Sequence, residues 1–316
     1  MDILRSARAV AGSSGDDIID WSAAASAAKA GTPAGDLTLT DAEQAGYRDD
    51  VRDARNRLRS VGNVAFDLPD TIEIQHRHHW IDANVETFSR VVEPLETIPS
   101  LVPSLSRAAN TATMALTLGF LGRNVLGQYD PLLLAESDTH ALYFVHPNIR
   151  RVADELVVDY PRFRRWIAFH EVAHAAEFGA APWLPGHLEA QLEQSVDAIS
   201  AGRLDRDAFE ELTTTMTAVE GYAELLMDRA FDDEYADLRA KLDARRQGGG
   251  PFVQFMRRLL GLGLKRRQYE RGAAFFTAVA DKRGLPAASV VWEHPDNLPT
   301  NSELDDPDAW LRRVNP

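Results

Sequence analysis

One pentapeptide limits the fold of this 316-residue chain more than any other feature: His170-Glu171-Val172-Ala173-His174. Two histidines four residues apart stand one turn apart on the same face of an α-helix, where both can reach one metal ion. The helix face that carries the histidines must then point into the core, where the surroundings are dry and rigid. The preceding apolar residues favour such a buried helix: Phe163, Trp166 and Ile167.

Glu171 is predicted to be a catalytic residue. It directly follows the first histidine and is therefore offset toward the open coordination position, where a general base for metal-bound water has to lie. A catalytic zinc site also needs a third protein ligand. The extended pattern that uses a glycine and a third histidine is absent, because Glu177 and Ala180 stand at those places.

A carboxylate from a second helix is the next source of a third ligand. Glu220 and Glu224 are four residues apart, hence on one helix face, within an otherwise apolar stretch. We predict Glu220 as the third metal ligand and Glu224 as an acceptor that orients a ligating histidine. The reverse assignment stays open, and His187, in a Pro-Gly-His turn, is a weaker candidate.

The absence of cysteine narrows the metal chemistry. It excludes disulfides, iron–sulfur clusters and thiolate-bound zinc. Any metal must therefore bind to histidine nitrogens and carboxylate oxygens. The predicted cofactor is one zinc ion per chain, the default metal for two histidines at this spacing.

The charge of the chain is strongly negative, at -14, and arises from 29 Asp and 19 Glu against 30 Arg and 4 Lys. An Asp-rich, Lys-poor surface keeps a protein hydrated when salt screens its charges, which favours a salt-adapted (halophilic) protein. A GC-rich genome would produce the same exchange of Lys for Arg, and this alternative stays open. Nucleic acid is not an expected partner, because phosphate binding needs a concentrated basic surface.

The apolar segments predict a cytoplasmic protein without a membrane partner. The start of the chain has too short an apolar run for a signal peptide. The longest apolar stretch, residues 114–126, is interrupted by Gly119, Arg123 and Asn124.

The remaining pattern predicts a mainly helical α+β protein with one small sheet or hairpin. Residues 1–40 are predicted as a loosely packed lead-in with a short helix at 21–30, and residues 41–316 as a single domain. After a turn at 128–131, two short β-type runs, 132–135 and 141–145, suggest a hairpin. Helices are predicted at 40–61, 80–92, 105–126, 148–156, 161–178, 188–200, 207–227 and, after a loop at 248–251, 252–280.

Several stretches, in order along nearly the whole chain, match a known sequence pattern: 80–84, 125–130, 145–148, 163–178, 220–223, 268–272, 291–292, 297–299 and 306–307. Together they resemble a family of zincin-like proteins of actinobacteria and haloarchaea. Members are described as zinc-dependent metalloproteases or hydrolases, or as associated with biosynthesis of the deazaflavin coenzyme factor 420.

The resemblance implies a zincin-like fold in one continuous domain, with Glu220 as a metal ligand. The family usually has histidine where this chain has Tyr222. Tyr222 could replace that histidine as a catalytic donor to an oxyanion, or it could serve packing alone. Tyr129, His146 and Arg271 are further candidates for contacts with the substrate or the transition state, although turn or core roles are more typical of such residues.

Two functions are compatible with the sequence. The first is a zinc-dependent metallohydrolase that cleaves a peptide or a small amide, with Glu171 as the base. The alternative is a non-catalytic protein that keeps the zincin scaffold for structure or for a protein partner in deazaflavin coenzyme biosynthesis. The basic residues between Arg257 and Arg271 could bind an acidic ligand, but a solvated helix face is the simpler interpretation, and His76, His78 and His79 are predicted to be exposed.

Overall fold

The computed structural model describes residues 18–62, 66, 68–69, 71–92, 103–130, 141–200, 206–231, 235, 237–238, 240–241 and 267–316. These ranges are mostly helical with one small sheet, which confirms the predicted fold class. The helices there are α1 (Trp21–Gly31), α2 (Asp41–Gly62), α3 (Arg77–Val92), α4 (Pro103–Asn124), α5 (His146–Leu156), α6 (Tyr160–Ala180), α7 (Leu184–Ser200), α8 (Arg206–Ala230), α9 (Arg267–Arg283), α10 (Leu285–Ser289) and α11 (Pro307–Val314), with 3-10 turns at Val290–Trp292 and Pro295–Asn297.

The motif helix α6 begins where the sequence supplies strong start signals. Asp159 caps it by accepting a hydrogen bond from the Arg162 backbone N–H at 3.0 Å, and Pro161 occupies the first turn, where a missing N–H costs nothing. The helix lies against α2, α8 and β2. Phe163, Ile167 and Phe169 are among the side chains that it buries. These contacts hold the motif inside the protein.

Three strands form the sheet, in the order β1 (Thr71–Gln75), β3 (Ala141–Val145), β2 (Gly127–Asp130). β1 runs parallel to the central strand β3, and β2 runs antiparallel to it, with Tyr129 opposite Leu142. The strand at 141–145 is thereby confirmed. The turn predicted at 128–131 is wrong, because residues 127–130 pair with β3; Pro131 lies outside the described residues.

Two other predictions about the sheet have different outcomes. β1 was not among the predicted strands, since its alternation of Ile72 and Ile74 is short and its partner lies far away in sequence. The run at 132–135, predicted as half of a hairpin, lies outside the described residues. So do the loop at 248–251 and the first part of the helix predicted at 252–280, whose remainder is α9.

In the part of the chain that the structure describes, buried apolar side chains form two clusters. The large core surrounds α6 and includes side chains from α2, β3, α8, α9 and the C-terminal segment. The small core joins α1, α3 and α4 and includes Trp80, Ile81 and Leu118. The helix predicted at 21–30 is confirmed as α1, and its buried alanines pack toward α4. The division into a lead-in and a single domain stays a prediction.

Asn148, at the start of α5, ties the two clusters together. Its Nδ2 donates to the carbonyl oxygens of Gly122 at 2.9 Å and Val125 at 2.7 Å, at the end of α4. Its Oδ1 accepts from Arg77 Nε at 2.7 Å, at the start of α3. A buried side chain that satisfies three backbone and side-chain groups fixes the relative placement of these helices.

Among the described helices, none is long and apolar enough to cross a membrane.

Candidate metal centre

Helix α6 places both motif histidines on one face. The ring centroids of His170 and His174 lie 4.7 Å apart, and both residues are partly buried, with the His174 side chain 13% exposed. Trp166, one turn earlier, stacks on the ring of His170 at 5.6 Å with an interplanar angle of 7°. The spacing in the sequence and the geometry of the helix therefore agree.

Helix α8 brings Glu220 to the same point. One ligand atom from each of His170, His174 and Glu220 lies within 4.8 Å of the other two, and this is the one such group of three among the described residues. Glu224 and His187 are not members of the group. His187 instead places its ring edge-on to Trp183 at 5.6 Å.

The donor set fits zinc. Two imidazoles and one carboxylate are the ligands of a common type of catalytic zinc site, in which the fourth position is left for water or substrate. His174 uses Nδ1 in a hydrogen bond to Glu177, which leaves Nε2 as the nitrogen available to a metal. Separations below 4.8 Å need only small side-chain adjustments to reach zinc–ligand distances of about 2 Å.

The placement of Glu220 depends on a close crossing of helices α8 and α9. A Cβ atom on Gly221 would lie 2.3 Å from the carbonyl carbon of Gly272, and a Cβ on Gly272 would lie 2.3 Å from the Thr217 carbonyl oxygen. Only glycine allows the two backbones to approach this closely. Helix α9 thereby supports the segment of α8 that carries the proposed ligand.

Glu171 points away from solvent toward strand β2. The backbone N–H of Tyr129 donates to its Oε2 at 2.8 Å. A Cβ atom on Gly127 would lie 2.6 Å from Glu171 Cγ, so the missing side chain makes room for the carboxyl group. Burial raises the pKa of Glu171 to about 7, against the lowering effects of His174 and of the Tyr129 amide.

Strand β2 lies between α6 and α3, with alternate side chains facing each helix. Tyr129 packs its ring against Phe178 of α6 at 5.3 Å. Gln128 faces α3, where its Oε1 accepts from Trp80 Nε1 at 2.7 Å and its Nε2 donates to Asn84 Oδ1 at 2.9 Å. The sequence singled out Tyr129 for its side chain, whereas in the structure its backbone N–H contacts Glu171.

Glu177 is the functional candidate that sequence reasoning missed. Its Oε2 accepts a hydrogen bond from His174 Nδ1 at 2.9 Å, and the side chain is fully buried. Burial raises the pKa of Glu177 to about 7 despite the bond from His174. Its spacing, three residues after His174, was the available signal, because side chains at i and i+3 meet on a helix.

The pKa of His174 reflects the carboxylates around it. Burial acts to lower that pKa, but the hydrogen bond to Glu177 and the charges of Glu177, Glu220 and Glu171 together raise it to about 9. The site is thus a concentration of negative charge that favours a cation on the imidazole.

Tyr222 lies in the large core with its hydroxyl 2.8 Å from Ser289 Oγ. Ser289 donates its own hydrogen to the Leu285 carbonyl, so Tyr222 is the donor in the pair. Burial raises the pKa of Tyr222 to about 12. This arrangement favours the packing alternative, since an oxyanion could take the hydroxyl hydrogen only if the bond to Ser289 broke. The catalytic role of Tyr222 stays a prediction.

The remaining candidates lie in networks of their own. His146 is buried, with Nδ1 at 3.1 Å from the Tyr47 hydroxyl and 3.2 Å from the Tyr160 hydroxyl. Arg271 pairs with Asp305 at 2.7 Å and donates to Asn301.

The predicted exposure of the histidine cluster holds only for His79. His76 and His78 are partly buried, because His76 stacks on His79 at 3.8 Å and His78 Nε2 bonds to the Thr32 carbonyl at 2.6 Å. Residues 257–266 of the basic run lie outside the described residues.

The family model and the solved structure that match this chain both describe hydrolases. The sequence model of a family described as zincin-like metallopeptidase matches residues 19–206 and 200–311. A crystal structure from Chloroflexus aurantiacus, of a candidate hydrolase described as having a novel fold, is similar with a TM-score of 0.76 and 29% identity, covering 100% of this chain and 99% of that chain. No curated protein matches the sequence significantly.

Proposed function

Because the chain belongs to the zincin-like metallopeptidase family, we propose that it is a zinc-dependent hydrolase that cleaves peptide or small amide bonds. The family and the similar candidate hydrolase support a metallohydrolase in general. The bond that is cleaved, the ligand set and the identity of the base are our proposal.

The observation that carries the proposal is the grouping of two histidines, Glu220 and Glu171 at one point between α6 and α8. The three proposed ligands have donor atoms within 4.8 Å of one another. Glu171 lies close enough to His174 and Glu220 for their charges to shift its pKa. A metal site built only for structure needs a closed set of ligands and no adjacent base.

The chain's own residues would divide the work as follows. His170, His174 and Glu220 would hold the zinc ion, which when bound polarises a carbonyl and lowers the pKa of water. Glu171 would accept a proton from the attacking water and pass it to the leaving nitrogen. A carboxyl group held beside the attacking water can both take a proton from it and return that proton to the leaving group. The Tyr129 N–H keeps that carboxyl group in one orientation.

Metal content tests the first half of the proposal. Protein purified without added metal should carry about one zinc per chain by inductively coupled plasma spectrometry, and Glu171→Gln should carry the same amount. His174→Ala should lose the metal. Less than about 0.2 metal per chain in the wild type would contradict a tight site.

Hydrolysis tests the second half. The metal-loaded wild type, incubated with a peptide library and with small amides, should release new amino termini that mass spectrometry detects. Glu171→Gln, with its zinc retained, should not release them. If instead no substrate is cleaved, and Glu171→Gln keeps both the metal and the cellular phenotype while His170→Ala unfolds, the non-catalytic alternative is supported. The link to deazaflavin coenzyme biosynthesis, the cytoplasmic location and the salt adaptation stay predictions.

A further inference from the structure

Glu177 occupies a position that the mechanism above does not use. It lies on α6 after His174, its side chain is fully buried, and its Oε2 accepts from His174 Nδ1 at 2.9 Å. We propose that Glu177 is the positioning residue of the metal centre, which fixes the ring of His174 with Nε2 toward the metal and strengthens that nitrogen as a ligand. The inference rests on the proposed metal site but concerns a residue outside it.

The first argument is the burial of the carboxylate. An ionised carboxyl group away from water is stable only when it is paired and hydrogen-bonded. Within the described part of the chain, no Lys or Arg forms an ion pair with Glu177, and His174 is its one side-chain partner. Its other oxygen, Oε1, has no hydrogen-bond partner among the described residues.

Positive charge on the ring of His174 compensates such a carboxylate, and a bound divalent ion would supply that charge. The placement of Glu177 is thus favourable when His174 carries positive charge from a metal. Carboxylates that accept the second ring N–H of a zinc-bound histidine fix both its tautomer and its orientation.

The second argument is the direction of the His174 ring. The ring makes T-shaped contact with His170 at 4.7 Å, and its Nδ1 faces the carboxylate of Glu177. With Nδ1 engaged, Nε2 is the ring nitrogen left for a metal. A change at Glu177 should therefore act on the orientation of His174.

A purely structural role makes a different prediction. Gln in place of Glu177 has the same shape, and its amide oxygen still accepts a hydrogen bond from His174, but it carries no charge. If Glu177 only packs the helix, Glu177→Gln binds metal like the wild type. If Glu177 tunes His174, both Glu177→Gln and Glu177→Ala weaken zinc binding, by about 10–100-fold for Ala and by less for Gln.

The experiment uses the full chain and two metals. Zinc affinity is measured by competition with a chromophoric chelator for the wild type, Glu177→Gln, Glu177→Ala and the control Glu193→Gln, which changes an exposed glutamate on α7. The visible absorption spectrum of the cobalt-substituted proteins reports the geometry around the metal. Circular dichroism and urea unfolding of the metal-free proteins show that each variant folds.

The expected result is weaker zinc binding and an altered cobalt spectrum in both Glu177 variants, with Glu193→Gln unchanged. Urea unfolding serves only as a control for folding, because Glu177→Gln also removes one partner of the buried pair with His174. Wild-type affinity and spectrum in both Glu177 variants would overturn the positioning role alone, and wild-type values in Glu177→Gln but not in Glu177→Ala would overturn only the strengthening of Nε2 by charge. Failure of the wild type to bind zinc or cobalt would overturn the metal site and this inference together.

Discussion

The two halves of helix α6 differ in whether their charged side chains have a partner of opposite charge. Residues 160–169 carry three arginines, and each is paired with an aspartate at 2.5–2.6 Å: Arg162 with Asp237, Arg164 with Asp50, and Arg165 with Asp53. Residues 170–180 bury Glu171 and Glu177, and neither of them pairs with a Lys or Arg of the described ranges.

The first half of α6 therefore serves to hold the helix in place, and the second half carries the groups of the candidate metal site. In the first half, the chain supplies both signs of charge, so the helix is anchored to α2 without any ligand. In the second half, burial raises the pKa values of Glu171 and Glu177 to about 7, because the chain supplies carboxylates with only imidazole and amide partners. Such perturbed carboxyl groups are typical of functional sites.

The largest effect is expected from Glu171→Gln in the second half. Turnover of any substrate that the wild type cleaves should fall about 1000-fold, equivalent to about 4 kcal/mol, because the proposed base is removed. The measurement is the steady-state rate with zinc content determined on the same sample. Activity within about 10-fold of the wild type would show that the Glu171 carboxylate does not take part in catalysis. The second half of α6 would then not differ from the first in function.

The next effect is expected from Arg164→Leu in the first half. The side chains of Arg164 and Asp50 are 8% and 12% exposed, so removing one partner leaves a buried, uncompensated charge. Urea unfolding should show a loss of about 3 kcal/mol. Asp50→Leu combined with Arg164→Leu should recover most of it. Folded Arg164→Leu should bind zinc as the wild type does; a lost zinc site would mean that the halves are not separate.

A pH series of the metal-free protein tests the second half without a substrate. The folded-state pKa of Glu171 is about 7 and lies above its ordinary value of 4.5. The folded state therefore binds more protons between these values, so this contribution is present below about pH 4.5 and is lost as pH rises through 7. The stability of the wild type relative to Glu171→Gln should fall by on the order of 2 kcal/mol across the window. A stability difference that does not change with pH would contradict a raised pKa of Glu171.

The smallest effect is expected from Asp53→Ala. Asp53 is 39% exposed, and Arg165 keeps a second hydrogen bond, to the Tyr235 hydroxyl at 2.7 Å. Arg165 also lies over the ring of Phe169 at 5.2 Å. Thermal and urea unfolding should therefore register a loss of about 0.5 kcal/mol. A loss of stability as large as that of Arg164→Leu would show that the exposure of these ion pairs does not determine how much each contributes to stability.

The parts of the site that the sequence could predict are those that depend on local spacing. The motif histidines could be predicted because they lie four residues apart on one helix. Glu220 could be predicted because it belongs to a pair of carboxylates on an apolar helix face. Spacing alone could not show that His174 bonds to Glu177, because that contact depends on side-chain rotamers. The role of Glu224 stays a prediction.

The parts that escaped prediction are non-local. β1 is a strand because β3 lies beside it, and residues 127–130 pair with β3 despite the turn signal that follows them. The contact between the Tyr129 amide and Glu171 requires that strand, so it could not be inferred while the segment was interpreted as a turn. Helices were predicted more completely, since their periodicity is contained in a single segment.

The crossing of Gly221 and Gly272 sets a limit on how this chain can diversify. Neither position can gain a carbon atom while the two helices keep their distance, because the added atom would meet backbone, which cannot rotate aside. A larger residue at either position would push the two helices apart and with them the backbone next to Glu220. Two glycines that lie 51 positions apart in the chain thereby constrain the same proposed ligand.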